Sequence, residues 1–414
     1  MFPPVRRLSA TFGALVAACV TAMSMFAGSA AATPLNGVPN GITSIALTKS
    51  NADMKRIAEY WNPARLKQAV NNAPATPEVT GGNSSASPTP TSATSTSTPA
   101  ATAAGAGAAA AASAGGGSTA ATTAGTSAGS GAGGSAADTK SGTAKTSVQA
   151  VEPTLPKKRS PASGASPITV GKVFFRFGNQ DYWCSASSVA AANRSLVTTA
   201  AHCAYDAKQG RHAEYWIFIP GYDRGETPYG IYVGHSLNLH EDFVGKGDFD
   251  YDYAFVTVHD GFRWKAGKTA GTYEMENVGS LEDNVGGQGL TTKRGTGLFT
   301  LAFGYPAAPH PDGSRPYDGQ QLKSCRGLTT KVRAPARLVE YGIALKCEFT
   351  SGASGGPWLI GYDTKHAVGY LNGVNSFGWD TDTDRKYDRI SSPYFVASTY
   401  TIYRWAAAQR APRS

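Results

Sequence analysis

Between Trp61 and Phe174 the chain carries no aromatic residue, a run of 112 consecutive positions. A core needs large apolar side chains, and this interval offers almost none, so it cannot fold on its own. Aromatics are dense beyond it: 37 of them fall in the 248 residues from Pro167 to Ser414. That stretch is long enough for one sizeable core. A single folded unit is therefore expected, although 414 residues would by length alone allow more.

The net charge of +9 is unevenly placed. Residues 1–165 hold 12 Lys/Arg against 5 Asp/Glu, and residues 166–414 hold 26 against 24. The aromatic-rich part has no basic stripe, which argues against nucleic-acid binding. The basic arm suits an anionic cell envelope or membrane surface, so envelope association through the arm is an expectation.

Arg6 and Arg7 precede an apolar, alanine-rich stretch from Leu8 to Phe26, and Ala30 to Ala32 suit signal peptidase. Residues 1–32 therefore read as a secretory signal. Ser9, Thr11, Thr21 and Ser24 make the stretch only weakly apolar, against a retained anchor. Val16-Ala17-Ala18-Cys19 also fits a lipidation box, although Val20 to Phe26 is still apolar. A secreted, extracellular protein is expected. Besides Cys19 there remain Cys184, Cys203, Cys325 and Cys347, an even number that suggests two disulfides in an oxidising compartment. Their spacing is too wide for a zinc knuckle, and no metal or other cofactor is expected.

Residues 33–75 are read as a segment with short helices, and Ile45 to Val70 hold the only helical pattern of the arm. Ala46, Met54, Ile57, Ala58, Trp61, Leu66 and Val70 form an apolar stripe broken at Asn62-Pro63. It reads either as a marginal surface helix or as a pro-segment that docks through Tyr60 and Trp61. Residues 76–166 form a low-complexity linker. From Gly82 to Ala150 it is almost wholly Ala, Gly, Ser, Thr and Pro, which predicts a disordered tether. Its Ser/Thr density suits O-glycosylation. Lys157-Lys158-Arg159 is a proteolytic target or a few solvated charges at a domain edge.

The texture changes in residues 167–414. Val170 to Phe177, Tyr215 to Ile219, Ala254 to Val258, Leu298 to Phe303 and Ala367 to Leu371 are short β-branched and aromatic runs between turn residues. Many short strands predict an all-β sandwich or barrels. Ser398 to Gln409 predicts a terminal helix.

Three segments carry chemistry. In Leu196-Val197-Thr198-Thr199-Ala200-Ala201-His202-Cys203 an apolar strand runs into small residues and presents a histidine, as a rigid yet reachable general base requires. In Asp250-Tyr251-Asp252-Tyr253-Ala254-Phe255-Val256 a carboxylate at the mouth of a strand can be buried against an imidazole. Asp248, Asp250 and Asp252 compete, and Asp252 is favoured because it immediately precedes the strand. In Ser351-Gly352-Ala353-Ser354-Gly355-Gly356-Pro357-Trp358 a serine sits among glycines that permit a tight positive-φ turn. Such a turn points the Gly352 and Ser354 amides inward, as an oxyanion hole requires.

In their order, these segments resemble the chymotrypsin-like serine proteases: Thr-Ala-Ala-His-Cys, Asp-Tyr-Ala-Phe-Val and Gly-Ala-Ser-Gly-Gly-Pro match the three motifs of that clan. The resemblance spans about 240 residues, and within the clan it is similar to the secreted bacterial branch that includes glutamyl endopeptidases. Tyr60-Trp61-Asn62-Pro63 is similar to a pro-segment motif of secreted actinobacterial members. The resemblance implies two six-stranded β-barrels with a C-terminal helix, and a monomer acting on polypeptide substrates. His202 would be general base, Asp252 its orienter and Ser354 the nucleophile of an acyl-enzyme mechanism. Cys184 would pair with Cys203 as the histidine-loop disulfide. Cys325 and Cys347 are then expected as the second pair. The rival reading is a catalytically silent protease-fold binding protein displayed on the arm.

Specificity is less legible. Glu348 stands at the offset where trypsins carry the acid that reads Lys/Arg, or is a rim charge. Val374, Asn375 and Ser376 lie on the strand expected to pair with substrate, and glutamyl endopeptidases carry a histidine where this chain has Asn375. Ala353 offers no charge for the ion pair by which a cut N-terminus orders trypsin-like sites, so assembly without N-terminal insertion is expected.

Overall fold

The computed structural model describes residues 37–69, 79–80, 148–157 and 166–412. The expected signal, Cys19, most of the linker and Lys158-Arg159 lie outside the described residues. So do residues 82–147.

The first half of the β-rich region closes on itself. Its strands run in the order Tyr232–His240, Ala254–Val258, Leu196–Thr199, Gln180–Val189, Val170–Phe177 and Glu214–Pro220, all antiparallel. The last returns to the first through Tyr232↔Phe218 and Val233↔Ile217. Closure into a six-stranded barrel removes unpaired edges. Alternate residues face opposite sides of the wall, as the strand period of two requires. Val173, Phe175, Cys184, Ala186, Phe218 and Val256 fill the interior. Val170, Phe174, Trp183, Ile217, Ile219 and Phe255 pack outward against the rest of the molecule. Both faces are buried, which is why these strands read as continuous apolar runs rather than alternating ones.

The arm covers part of that outer face. Where the sequence pattern predicts helix from Ile45, the chain instead forms a strand, Ile42–Ala46, paired antiparallel with Ser236–His240. Helix Asn51–Tyr60 follows, capped by the Ser50 hydroxyl accepting from the Asp53 amide, then helix Pro63–Ala69 with proline at its first position. Trp61 is fully buried, so this is no marginal surface helix. Its indole N–H donates to the Tyr215 carbonyl, and Tyr60 stacks on Tyr215 with centroids 4.0 Å apart. Tyr60 and Arg65 both donate to Asp181, at 2.5 and 3.0 Å.

The second half forms two sheets. Phe299–Gly304, Lys323–Leu328, Pro357–Asp363 and Val368–Val374 share one with Gly289–Thr291 and Ala150–Val151. Thr330–Ala334, Val339–Lys346, Arg389–Ser392 and Phe377–Asp380 share the other with Val79–Thr80. Cys325, on the first sheet, is bonded to Cys347, just beyond Val339–Lys346 on the second. Cys184 is bonded to Cys203. The terminal helix, Ala397–Ala408, buries Ile402, Tyr403 and Ala406, and the Tyr403 hydroxyl donates to the Ala190 carbonyl at 2.7 Å.

Candidate active site

Strand Leu196–Thr199 ends at Ala200, and a single 3-10 turn, Ala201–Cys203, carries His202. Ala200 and Ala201 are both fully buried. The Cys184–Cys203 disulfide pins the turn to the neighbouring strand. Asp252 arrives beside it because Ala254 pairs with Thr199, which brings the residues just outside the two strands to one end of the barrel.

Asp252 is fully buried and its carboxylate accepts four hydrogen bonds. Its Oδ1 accepts from the His202 amide at 2.9 Å and lies 3.1 Å from His202 Nδ1. Its Oδ2 lies 2.8 Å from Nδ1 and accepts from the Ser376 hydroxyl at 2.5 Å. A carboxylate held in this way fixes the imidazole with its proton on Nδ1 and Nε2 outward. The competing acids do structural work. Asp248 accepts from the Asp250 amide, and Asp250 accepts from the amides of Glu340 and Tyr341.

Ser354 sits on a turn that only glycine permits at two positions. Gly352 has φ +101° and Gly355 φ +80°. A Cβ on Gly355 would lie 2.1 Å from Thr199 Oγ1 and 2.7 Å from the Ala200 amide nitrogen, so the turn presses against the strand that leads to His202. Carbonyls on the turn point away from the cleft. That of Ser354 accepts from the Ser185 amide at 2.8 Å, and that of Gly352 from the Ser185 hydroxyl at 2.8 Å. The Gly352 and Ser354 amides donate to no acceptor among the described residues. His202 Nε2 and Ser354 Oγ are buried and likewise have no hydrogen-bond partner there.

The expected substrate readers need correction. Glu348 is exposed and does not line the small cavity beside Ser354; its neighbour Phe349 does. Cys347, bonded to Cys325, is buried one residue earlier, just past the end of the strand Val339–Lys346, whereas Glu348 faces solvent. Val374 is fully buried, and its amide donates to Ser392 Oγ. Asn375 borders the cavity, but its side-chain nitrogen donates to the carbonyls of Phe303 and Ala353, and its oxygen accepts from Trp358. Both of its side-chain polar atoms are thus engaged in bracing the turn. Ser376 lines the cavity while holding Asp252.

Sequence reasoning missed the remaining cavity walls, Gly378, Tyr387 and Ile390. The Tyr387 ring lies under Gly378, where a Cβ would meet it at 2.8 Å. The space left is ≈ 10 Å³, about one water. A larger cleft of ≈ 640 Å³ has His202 in its wall, together with Phe175, Phe177, Tyr182, Tyr205, Phe249 and Arg337. Phe249 stacks near the His202 ring, with centroids 6.2 Å apart.

No family model and no curated protein matches the chain. Solved structures do. A thermostable serine protease, AL20, from an extremophilic microorganism is 32% identical; the match covers 59% of this chain and 98% of that one, with a TM-score of 0.48. Protease Anisep from Arthrobacter nicotinovorans is 33% identical over 60% of this chain and 99% of its own, with a TM-score of 0.48. Identity of this order over nearly the whole of each relative decides the matter. The chain belongs to the chymotrypsin-like serine protease family.

In this chymotrypsin-like protease the sulfurs near His202 are joined to each other, and are not thiolate ligands for a metal. Carboxylate oxygens of Asp380, Asp382 and Asp384 lie within 4.8 Å of one another beyond the cavity strand. Both Asp380 oxygens already accept backbone amides, from Thr383 at 2.8 Å and Arg385 at 3.0 Å. Among the described residues no helix of the protease is long and apolar enough to cross a membrane.

Proposed function

We propose that this protein is a secreted serine endopeptidase that hydrolyses polypeptides through an acyl-enzyme. The observation that carries the reading is the buried Asp252 carboxylate, which holds His202 at both its amide and Nδ1. A histidine so oriented presents Nε2 as a base. Ser354 Oγ attacks the scissile carbonyl and passes its proton to Nε2. The oxyanion that forms is received by the Gly352 and Ser354 amides, which have no other acceptor among the described residues. His202 then protonates the leaving amine, and a water deprotonated by the same nitrogen releases the acid and restores Ser354.

Export is supported by the signal-like residues 1–32 and by two disulfides, which persist outside reducing compartments. The basic arm supports contact with an anionic envelope. The silent-binder alternative shares the fold but has no use for an oriented histidine and a pair of amides that donate to no acceptor among the described residues.

A serine-directed fluorophosphonate tests the choice. Labelling of the folded protein at Ser354, lost in Ser354→Ala and His202→Ala together with peptide hydrolysis, is the expected result. Each variant should lose several orders of magnitude in rate. Folded wild-type protein that does not label at Ser354 would point to the binder.

A further inference from the structure

Lys172 lies on the strand Val170–Phe177 and is fully buried. Its Nζ has no hydrogen-bond partner among the described residues. It meets ring faces instead. The centroids of Trp183, Tyr222, Tyr305 and Phe174 lie 3.6, 4.4, 5.6 and 5.8 Å away. Burial pulls the ammonium well below the usual lysine range, and the Asp318 carboxylate opposes this. The negative faces of the four rings favour the charged form as well. An apolar residue would fill the space without burying a charge, so packing alone gives no reason for a lysine here.

The far side of this cage is Gly352. A Cβ on Gly352 would lie 2.5 Å from Cη2 and 2.7 Å from Cζ3 of Trp183, and 2.5 Å from the Tyr305 carbonyl oxygen. Trp183 thus carries Lys172 on its face and abuts the turn with its edge. Tyr305 joins in twice, with its ring in the cage and its carbonyl against Gly352. Its amide donates to Ser185 Oγ at 2.9 Å, and that hydroxyl donates to the Gly352 carbonyl at 2.8 Å.

We propose, building on the peptidase reading above, that Lys172 is a positioning residue for the oxyanion turn. Its ammonium draws Trp183 and Tyr305 together beneath Gly352, and so holds the Gly352 and Ser354 amides toward the reacting carbonyl. Lys172 acts through Trp183 and touches no substrate atom.

The test is Lys172→Met, which keeps the chain length and removes the charge. The thermal midpoint should be unchanged or raised, because a desolvated charge is gone. KM should stay within about twofold while kcat, and the rate of fluorophosphonate labelling at Ser354, fall about 10- to 100-fold. Trp183→Phe keeps a ring beneath the ammonium but withdraws the edge from Gly352. It should lower kcat similarly, and the double variant should lose little more than either single one. Undiminished kcat and labelling in folded Lys172→Met overturn the proposal. If that variant does not fold, Trp183→Phe decides: a lowered kcat with unchanged KM supports it, and a full kcat overturns it. Wild-type protein that fails to label at Ser354 overturns the peptidase reading and this inference together. Wild type that labels, beside variants that label equally fast, overturns only the inference.

Discussion

The Ser376 hydroxyl donates to Oδ2 of Asp252 at 2.5 Å, joining the strand beside the cavity to the closed barrel. The bond crosses 124 residues of sequence, and it ties a residue that lines the cavity beside Ser354 to the one that orients His202.

Ser376→Ala should remove one of the four hydrogen bonds on a buried carboxylate. A hydrogen bond to a charged group contributes about 1.5–3 kcal/mol, so a loss of about tenfold or more in kcat is expected. Asp252→Asn should cost more, about 10⁴-fold, because the amide favours the wrong imidazole tautomer. Steady-state kinetics on one peptide substrate measures both. Equal activity in Ser376→Ala and wild type would show that the remaining three bonds suffice.

The cavity walls predict the residue read before the cut bond. Phe349, Tyr387 and Ile390 offer no charge, and the space is small, so small apolar side chains should be preferred over Lys, Arg or Glu. Peptide-library profiling reads this directly. Glu348→Gln should leave the profile unchanged, since Glu348 does not line the cavity. Ile390→Ala should extend it to larger apolar residues. A profile dominated by basic residues that collapses in Glu348→Gln would restore the acid-reading role.

The arm is held as part of the barrel. Cleavage between residues 158 and 166 should leave residues 37–69 bound, through the strand pairing of Ile42–Ala46 and the buried Trp61. The cut protein should elute as one species in size exclusion and separate only in denaturant. Trp61→Ala should cost about 3–5 kcal/mol of stability. Release of the arm on cutting, with a stable remainder, would contradict this packing.

Acid should loosen the same contact. Thr48, just past the arm strand, bonds His259 Nε2 at 2.7 Å, and the His235 ring stands 5.2 Å from that of His259. Burial, then His235, pushes the pKa of His259 down to about 4 from its ordinary 6.5. A depressed folded-state value means the neutral ring is the stabilising form. The contribution is complete above pH 6.5 and is lost as pH falls from there toward 4, at most about 3 kcal/mol. Denaturant unfolding at stepped pH should show this slope, and His259→Gln should flatten it. An unchanged slope in the variant would assign the acid sensitivity elsewhere.

The candidate site was legible in sequence because each of its pieces is local. A histidine after two alanines, an aspartate at a strand mouth and a serine between glycines each need neighbours within a few positions to take their conformation, and those neighbours are written beside them. The strands Val170–Phe177 and Ala254–Val258 were legible for a similar reason, being β-branched and aromatic runs buried on both faces. The strand Ile42–Ala46 was not. Its short segment ends where a helical stripe begins, and only pairing with Ser236–His240 makes it a strand. Specificity was hidden too. Glu348 and Asn375 have the right spacing, but a spacing does not state which way a side chain turns or which partners have already claimed it. In the sequence Lys172 is one charge in an apolar run. Its cage draws rings from positions 174, 183, 222 and 305, which only the closing of the barrel against the second half brings together. Sequence alone determined which groups could react, since reactivity belongs to residue types and their immediate turns. The tertiary structure decided what orients them and what they exclude, because those depend on contacts between residues far apart in the chain.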